Sequence, residues 1–540
     1  MGTVERRPGG RPSIEDRVGA LLAAAARRWP DRECLRFGVD RLTFADLAAR
    51  VDAVAADMVA RGVKAGDRVL VQLPNSIEAL VLQLAAFQIG AVDVPVVAIY
   101  RGHEARAIVA DTRPAVVAAT HVRGDQSPTA DLDRIFDDLG HTPLARYGLG
   151  DVRRDGWSSV PLPGDQDTDA PPGLFAPGDP DECCMIMYTS GTTRDPKGVR
   201  LSSRALHATA TAWSRRLPLD QTSVFFVGTP IAHVSGFITA FLAPVTLGAR
   251  SVVMARWDGA EAARLIDEER ATLMNGTALF LQDLCDRYER ADAPAHRLTY
   301  FQAGGAALTP EVILRAEKAG ITAFRVYGMT EAAGNITMAP PDAPVERRSQ
   351  WDGLVLEGTE LQAIDEFREP LPPGESGEIR FRGPQMLMGY TDPELTRAQI
   401  DGEGWFYPGD IGVVDTEGWF RFDGRTKDII NRGGEKFSAL EIESLIARHP
   451  DIEEAAVVAI PDSRFGEAVG AFVVLRKGVP ANELSWVVRF LDEQGLAKQK
   501  LPTELHAVDG IPVSPAGKIQ KFRLLEARNA KVDDAQGVVQ

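Results

Sequence analysis

Apolar residues fall along the first half of the chain in short blocks separated by longer periodic stretches. "DRVLVQL", Asp67 to Leu73, is a compact apolar run stopped by Pro74-Asn75, and it predicts a strand. "SIEALVLQLAAFQIG", Ser76 to Gly90, repeats apolar residues at helical spacing and ends on a glycine, and it predicts a helix. "AVDVPVV", Ala91 to Val97, is the next strand. This β-α-β order predicts a parallel sheet with helices on its faces. The same alternation returns in "SVFFVGTP", "ARSVVMA", "TYFQAGGAAL" and "AFRVYGMT".

Two departures from that pattern divide the chain. From Gly124 to Glu182 the composition shifts, and "LPGDQDTDAPPGLFAPGDPDE" reads as a surface connection rich in Pro, Gly and Asp. After about Pro340 short strands with glycine turns take over, such as "GESGEIRFRGP" and "GWFRFDG", as in a small antiparallel barrel. From Ile429 to Leu525 a helix, "SALEIESLIARH", is mixed with the strands "EAAVVAI" and "GAFVVL", which predicts a separate α+β unit. The expected division is a large domain over 1–424, a joint at 425–428 within "DGRTKD", and a small domain over 429–540 whose tail frays after Ala527.

Composition narrows the function. At 540 residues the chain exceeds one ordinary core. Its 44% hydrophobic and 25% charged residues are those of a globular protein. A net charge of −16 argues against a general nucleic-acid binder, which needs a basic surface to displace counterions. Four cysteines, without a CxxC pair, are too few for a disulfide scaffold or a zinc site. Cys183 and Cys184 read as core strand residues. The opening residues lack the apolar stretch of a signal peptide, and Arg6 stands where a myristoylation signal has Ser or Thr. No apolar run approaches the ~18 residues that span a bilayer. The expectation is a cytoplasmic enzyme without a membrane span.

The chemistry concentrates in a few segments. Thr189-Ser190-Gly191-Thr192-Thr193 follows a buried strand and precedes Lys197. It is not a Walker loop, because no Gly-Lys-Ser/Thr stands at the required spacing. Amides and hydroxyls on one turn of small residues can still hold an anion's oxygens. "YGMTEAAG" offers Tyr327, Gly328, Met329, Thr330 and Glu331; "GWFYPGD" ends in Asp410; "DGRTKDIINRGGEK" carries Arg425, Lys427, Gly433, Gly434 and Lys436; "PVSPAGK" ends in Lys518. Singly, each is an ordinary turn or a solvated lysine.

In this order and spacing, from about Ser13 to Leu525, the segments closely resemble the AMP-forming acyl/aryl-CoA synthetases of the adenylate-forming superfamily. The resemblance implies a large domain of two doubly wound α/β subdomains plus a distorted antiparallel barrel, with a small mobile C-terminal domain. It implies ATP-dependent conversion of a carboxylic acid to an acyl adenylate with release of pyrophosphate, then thioester formation with coenzyme A and release of AMP. By that likeness Thr189, Ser190, Gly191, Thr192 and Thr193, with Lys197, surround the β- and γ-phosphates. Thr330 meets the α-phosphate and Glu331 holds Mg²⁺, a hard cation that takes oxygen ligands. Tyr327 stacks on adenine, Gly304, Gly305 and Ala306 line the base, Asp410 takes the ribose hydroxyls, and Arg425 and Phe422 adjoin the nucleotide. Lys518 bridges carboxylate and ATP. Lys427 is the hinge, and Gly433, Gly434 and Lys436 form the thiol channel.

The acid pocket resembles that of relatives acting on compact cyclic, aromatic or short acids. "PIAHVSGF" supplies His233, Val234 and Phe237, with Ala278, Gly304 and Met329 as further lining. Where the family usually has glycine this chain has Arg194, which puts the path of the phosphate loop's tail in question. Rival readings are loading of an aryl or other acid onto a carrier protein or an amine, activation of an unusual acid such as nitrite, and a catalytically silent nucleotide-binding protein. Intact Glu331, Asp410 and Lys518 speak against the last.

Overall fold

The computed structural model describes residues 17–122, 127–150, 154–164, 179–189, 196–290, 293, 295, 298–304, 310–432, 435–462, 464–480, 485–494, 496–513 and 519–537. Among the expected site residues, Ser190, Gly191, Thr192, Thr193, Gly305, Ala306, Gly433, Gly434 and Lys518 lie outside these, as does Arg194.

The β-α-β reading of the first half holds. The strand Arg68–Gln72 leads to the helix Ile77–Gln88, whose N-cap Ser76 accepts a hydrogen bond from Ala79 N, and then to the strand Val92–Pro95. Both strands are parallel in an eight-stranded sheet. That helix is apolar on every side, and all twelve of its residues except Glu78 are buried, as the seam between two layers requires. Residues 165–178 of the expected surface connection lie outside the described residues, and the part of the composition shift before it holds regular structure. The helix Pro128–Leu139 and the strand Ala145–Leu149 extend this sheet in parallel. Proline at the first helical position, Leu132, Ile135 and Phe136 on one face, and Gly140 in a left-handed C-cap were the local signals.

A second sheet has thirteen strands. One part is parallel and built from the recurring β-α units, through Val224–Val227, Arg250–Val253, Leu273–Gly276, Tyr300–Ala303 and Thr322–Met329. Beyond Thr322–Met329 the sheet turns antiparallel, through Gly334–Met338, Gly353–Val355, Trp419–Arg425, Asp410–Val414 and Ser376–Arg382. The antiparallel unit expected after Pro340 is therefore bonded in series with the parallel one, and Thr322–Met329 belongs to both.

A small α+β unit follows. The strands Ile452–Asp462 and Gly466–Leu475 form a long hairpin packed on the helix Ala439–Ile446. Before it, Thr426–Asp428 makes a single tight turn at the expected joint. Across this turn Ser438 Oγ donates to the carbonyl of Asp423 at 2.7 Å, and it also accepts from Leu440 N to cap the helix. The tail does not end in irregular chain after Ala527; it continues as the helix Lys521–Gly537. Among the described residues no helix is long and apolar enough to cross a membrane.

Candidate functional site

The strand that serves both halves of the large sheet carries the "YGMTE" segment at its end. Tyr327 pairs with Thr337 on the antiparallel side, and the register shifts between Tyr327 and Gly328. The neighbouring backbone comes so close that a Cβ at Gly328 would lie 2.1 Å from the carbonyl oxygen of Gly334. Glycine is therefore required there by contact alone. Thr330 and Glu331 then form a tight turn, Thr330–Ala332, closed by Ala333 in the left-handed region at φ 46°.

Asp410 and Arg425 are directly opposed partners in an antiparallel strand pair, where opposite charges attract. Arg425 Nε lies 3.2 Å from Asp410 Oδ1. The phenol of Tyr327, 83 residues away in sequence, donates to Asp410 Oδ2 at 2.6 Å. Asp410 is 2% exposed, so this carboxylate is held in place by a cation and a phenol in a largely dry setting. Burial, with the adjacent Asp410 charge, pushes the Tyr327 hydroxyl well above its usual pKa, which keeps it a donor. Phe422 lies beside it, with ring centroids 5.9 Å apart and planes 21° from parallel. The backbone N–H of Phe422 donates to Asp352 Oδ2 at 2.7 Å, and Arg325 pairs with the other oxygen of Asp352 at 2.7 Å. Asp352 is a residue the motifs did not single out; its work is to fix the strand that bears Phe422 and Arg425.

The phosphate-loop segment arrives from the other sheet. Cys183–Thr189 and Lys197–Ser202 are an antiparallel hairpin in which Thr189 opposes Lys197. The hydroxyl-rich segment joins the ends of that hairpin. The short strand Gly389–Tyr390 pairs with its outer side, Tyr390 opposite Val199. From there the Tyr390 hydroxyl donates to Glu331 Oε1 at 3.0 Å, and Leu387 N donates to the Glu331 carbonyl at 2.8 Å. Burial first, then the Glu331 charge, raises the pKa of the Tyr390 phenol. Tyr390 thus brings the hairpin and the "TE" turn together. Nothing in its local sequence announces this, because the relation exists only in three dimensions.

Among the residues expected on the acid side, His233 is the N-cap of the short helix Val234–Phe237, and its carbonyl accepts from Phe237 N at 2.9 Å. Asn75 fixes the approach to it: its side-chain amide donates to the carbonyls of Thr229 and Met254 and accepts from Ile231 N at 2.8 Å. Asn275 ties the same segment to the sheet, accepting from Thr229 Oγ1 at 3.2 Å and donating to the Ser235 carbonyl at 3.4 Å. Val234 is buried; Ala278, at the start of the helix Ala278–Tyr288, and Met329 are half-buried. Phe237, expected in the pocket wall, has no exposed surface; its ring packs between Phe87 and Phe241 and supports the turn from behind. Gly304 follows the strand Tyr300–Ala303, and a Cβ there would lie 2.7 Å from Val326 Cγ2. Lys427 is in the turn at the joint, and Lys436 is in the strand Glu435–Ser438.

Two family models match the chain in sequence order. One, described as AMP-binding enzyme, covers residues 22–391, and the other, AMP-binding enzyme C-terminal domain, covers residues 441–518. The chain is 34% identical over 486 residues to a medium-chain fatty-acid–CoA ligase of Escherichia coli (strain K12), which spans 89% of this chain and 85% of that one. It is 32% identical over 530 residues to a salicylyl-CoA synthase / salicylate adenylyltransferase of Streptomyces sp, spanning 96% and 95%. The fold superposes on ATP-bound MatB from Rhodopseudomonas palustris with a TM-score of 0.81 at 31% identity, covering 94% of this chain and 98% of that one. Together the two family models span most of the chain, on either side of the segment that carries Asp410 and Arg425: this protein belongs to the AMP-binding enzyme family and is an AMP-forming acyl-CoA synthetase.

Proposed function

We propose that this chain activates a compact cyclic, aromatic or short-chain carboxylic acid with ATP and transfers the acyl group to coenzyme A in the cytoplasm. The carrying observation is the buried Asp410, held between Arg425 and Tyr327, whose ring lies beside Phe422 and whose strand leads directly into the turn of Glu331. A fixed carboxylate beside aromatic rings suits a ribose diol below a base. Gly304 would adjoin the base and Thr330 the α-phosphate.

Adenylation brings two anions together, so positive charge and oriented donors must wait where phosphate charge gathers. Lys197, at the base of the hairpin, and the hydroxyl segment it closes would serve the β- and γ-phosphates; Lys518 would bridge acid and α-phosphate. Magnesium fits the donors present. Mg²⁺ takes one or two carboxylates together with phosphate oxygens and water, and Glu331 offers a hard carboxylate already oriented by Tyr390. When bound, the ion would offset phosphate charge. His233 would wall the carboxylate end of the acid pocket. For the second half-reaction, rotation at 425–428 would bring the segment around Gly433, Gly434 and Lys436 to the site. The family matches flank that joint on either side.

The test is pyrophosphate release over a broad acid panel, followed by AMP release with coenzyme A, a carrier protein or an amine as acceptor. Coenzyme A should be the preferred acceptor. Faster turnover with a carrier protein or amine would replace the thioester step with transfer to that acceptor, and no pyrophosphate release with any acid would refute the activity.

A further inference from the structure

The helix that begins at Val234 is not regular. After one α-helical turn it widens into a π-helix over Ile238–Leu242, then closes again as the α-helix Ala243–Leu247. Ala243 N donates to the carbonyl of Ile238, five residues back. Such a wide turn is rare and recurs at functional sites. Pro244 supplies its cause. Proline has no N–H for the carbonyl four residues back, which here is that of Ala240, and its ring crowds that carbonyl. The Ala240 carbonyl instead meets Ser251, on the strand Arg250–Val253, whose hydroxyl donates to it at 2.8 Å. Ser251 is fully buried.

The wide turn sets the direction of what precedes it. Each α-helical residue advances the chain by about 100°, so one residue more in a turn rotates the end at His233 against the end at Ala243, Pro244 and Val245, which is buried. Thr239, inside the π turn, carries that setting back to the first turn. Its Oγ1 donates to the Ser235 carbonyl at 2.8 Å, the same carbonyl that takes Asn275. Asn275 is a firm post, because the other face of its strand is closed by a stack of Trp257 on Phe280, with ring centroids 4.0 Å apart. A Cβ at Gly228 or Gly276 would lie 2.6 or 2.8 Å from those rings. The first turn is also pressed onto the loop before it: a Cβ at Gly236 would lie 2.0 Å from the Pro230 carbonyl oxygen.

We infer that Ser251 and Thr239 are positioning residues for His233: Ser251 holds the π turn open, Thr239 passes its phase to the first turn, and that phase fixes how His233 meets the acid. Neither side chain has exposed surface, so neither touches a ligand, and both act through the helix. The inference rests on the reading of His233 as the wall at the carboxylate end of the acid pocket. Displacing a group that orients a substrate by about 1 Å can cost on the order of 10²-fold in rate.

The experiment measures kcat and KM for pyrophosphate release with straight-chain acids from acetate to decanoate and with benzoate, and KM for ATP alongside. Ser251→Ala and Thr239→Val each remove one hydroxyl and should lower kcat/KM for the acid by roughly tenfold or more, with KM for ATP within about twofold. Thr239→Ser keeps the hydroxyl and should recover most of the loss. His233→Ala should lose at least as much, and adding Ser251→Ala to it should cost little further, since residues that act through one another are not additive. If Ser251→Ala loses its thermal transition, Thr239→Val and Thr239→Ser decide the matter by the same cycle with His233→Ala. Fully additive losses, an equal fall in the ATP and acid parameters, or native kinetics in folded Ser251→Ala and Thr239→Val overturn the positioning role. Native kinetics in His233→Ala with every acid refute the reading of His233 itself, which is a different result from an enzyme that needs His233 and ignores Ser251.

Discussion

The proposed nucleotide side and the proposed acid side of this site are built by opposite means. On the nucleotide side, polar groups from distant segments hold one another: Tyr327 and Arg425 on Asp410, Tyr390 on Glu331, Arg325 on Asp352. On the proposed acid side, backbone does the work: Asn75 and Asn275 hold the His233 turn through its peptide groups. The first arrangement would serve a ligand common to every acid. The second would be retuned by exchanging a few apolar side chains, with the charged framework untouched.

That contrast makes definite demands. The largest effect is expected at Lys518. Lys518→Ala should cut pyrophosphate release by about 10²–10³ for every acid tested, since one electrostatic contact to the transition state is worth that much. Supplied with a synthetic acyl adenylate, the same variant should still form thioester, and Gly434→Leu should show the reverse. Equal loss of both half-reactions in both variants would break the two-conformation reading. Next is Asp410→Ala. Hydrogen bonds to charged groups are worth about 1.5–3 kcal/mol, so KM for ATP should rise roughly ten- to a hundredfold with the ranking of acids unchanged. A reordered ranking would mean that the two sides of the site are not separable. Tyr390→Phe removes one hydrogen bond from Glu331 and should weaken pyrophosphate release by about two- to tenfold, to be measured with magnesium titrated in each assay. The smallest change is expected at Ser438. Losing its helix cap and its bond to Asp423 should cost about 1 kcal/mol, visible as a lower Tm. Because the bond spans the joint, Ser438→Ala should also alter the ratio of the two half-reactions while leaving acid preference alone.

The same contrast decides what could be read from the chain. Asp410, Arg425, Tyr327 and Glu331 stand in short motifs at fixed spacing, and strand register then brings them together. Tyr390 and Asp352 escape notice because each acts from a segment with no pattern of its own. The Trp257–Phe280 stack escapes for a different reason: apolar residues near strand ends look like core, and only the glycines opposite them reveal the fit. In the fold, the β-α-β period was plain. The helix Pro128–Leu139 was obscured by the Pro- and Asp-rich sequence farther along the same stretch, although its own capping signals were present.

The seam strand Thr322–Met329 has a consequence for how the molecule assembles. Tyr327 and Asp410 meet only after the intervening antiparallel strands have been laid down, since 83 residues separate them. Such distant pairings are slow to form. The parallel part of the large sheet relies on pairings just as distant, Leu35 beside Ser251, so competence to hold ATP should arrive only with the closing of the whole sheet. ATP binds the finished chain and not its precursors, so it should raise the yield of refolding most at the final stage. Nucleotide present from the start of refolding and nucleotide added just before that stage should rescue the protein almost equally.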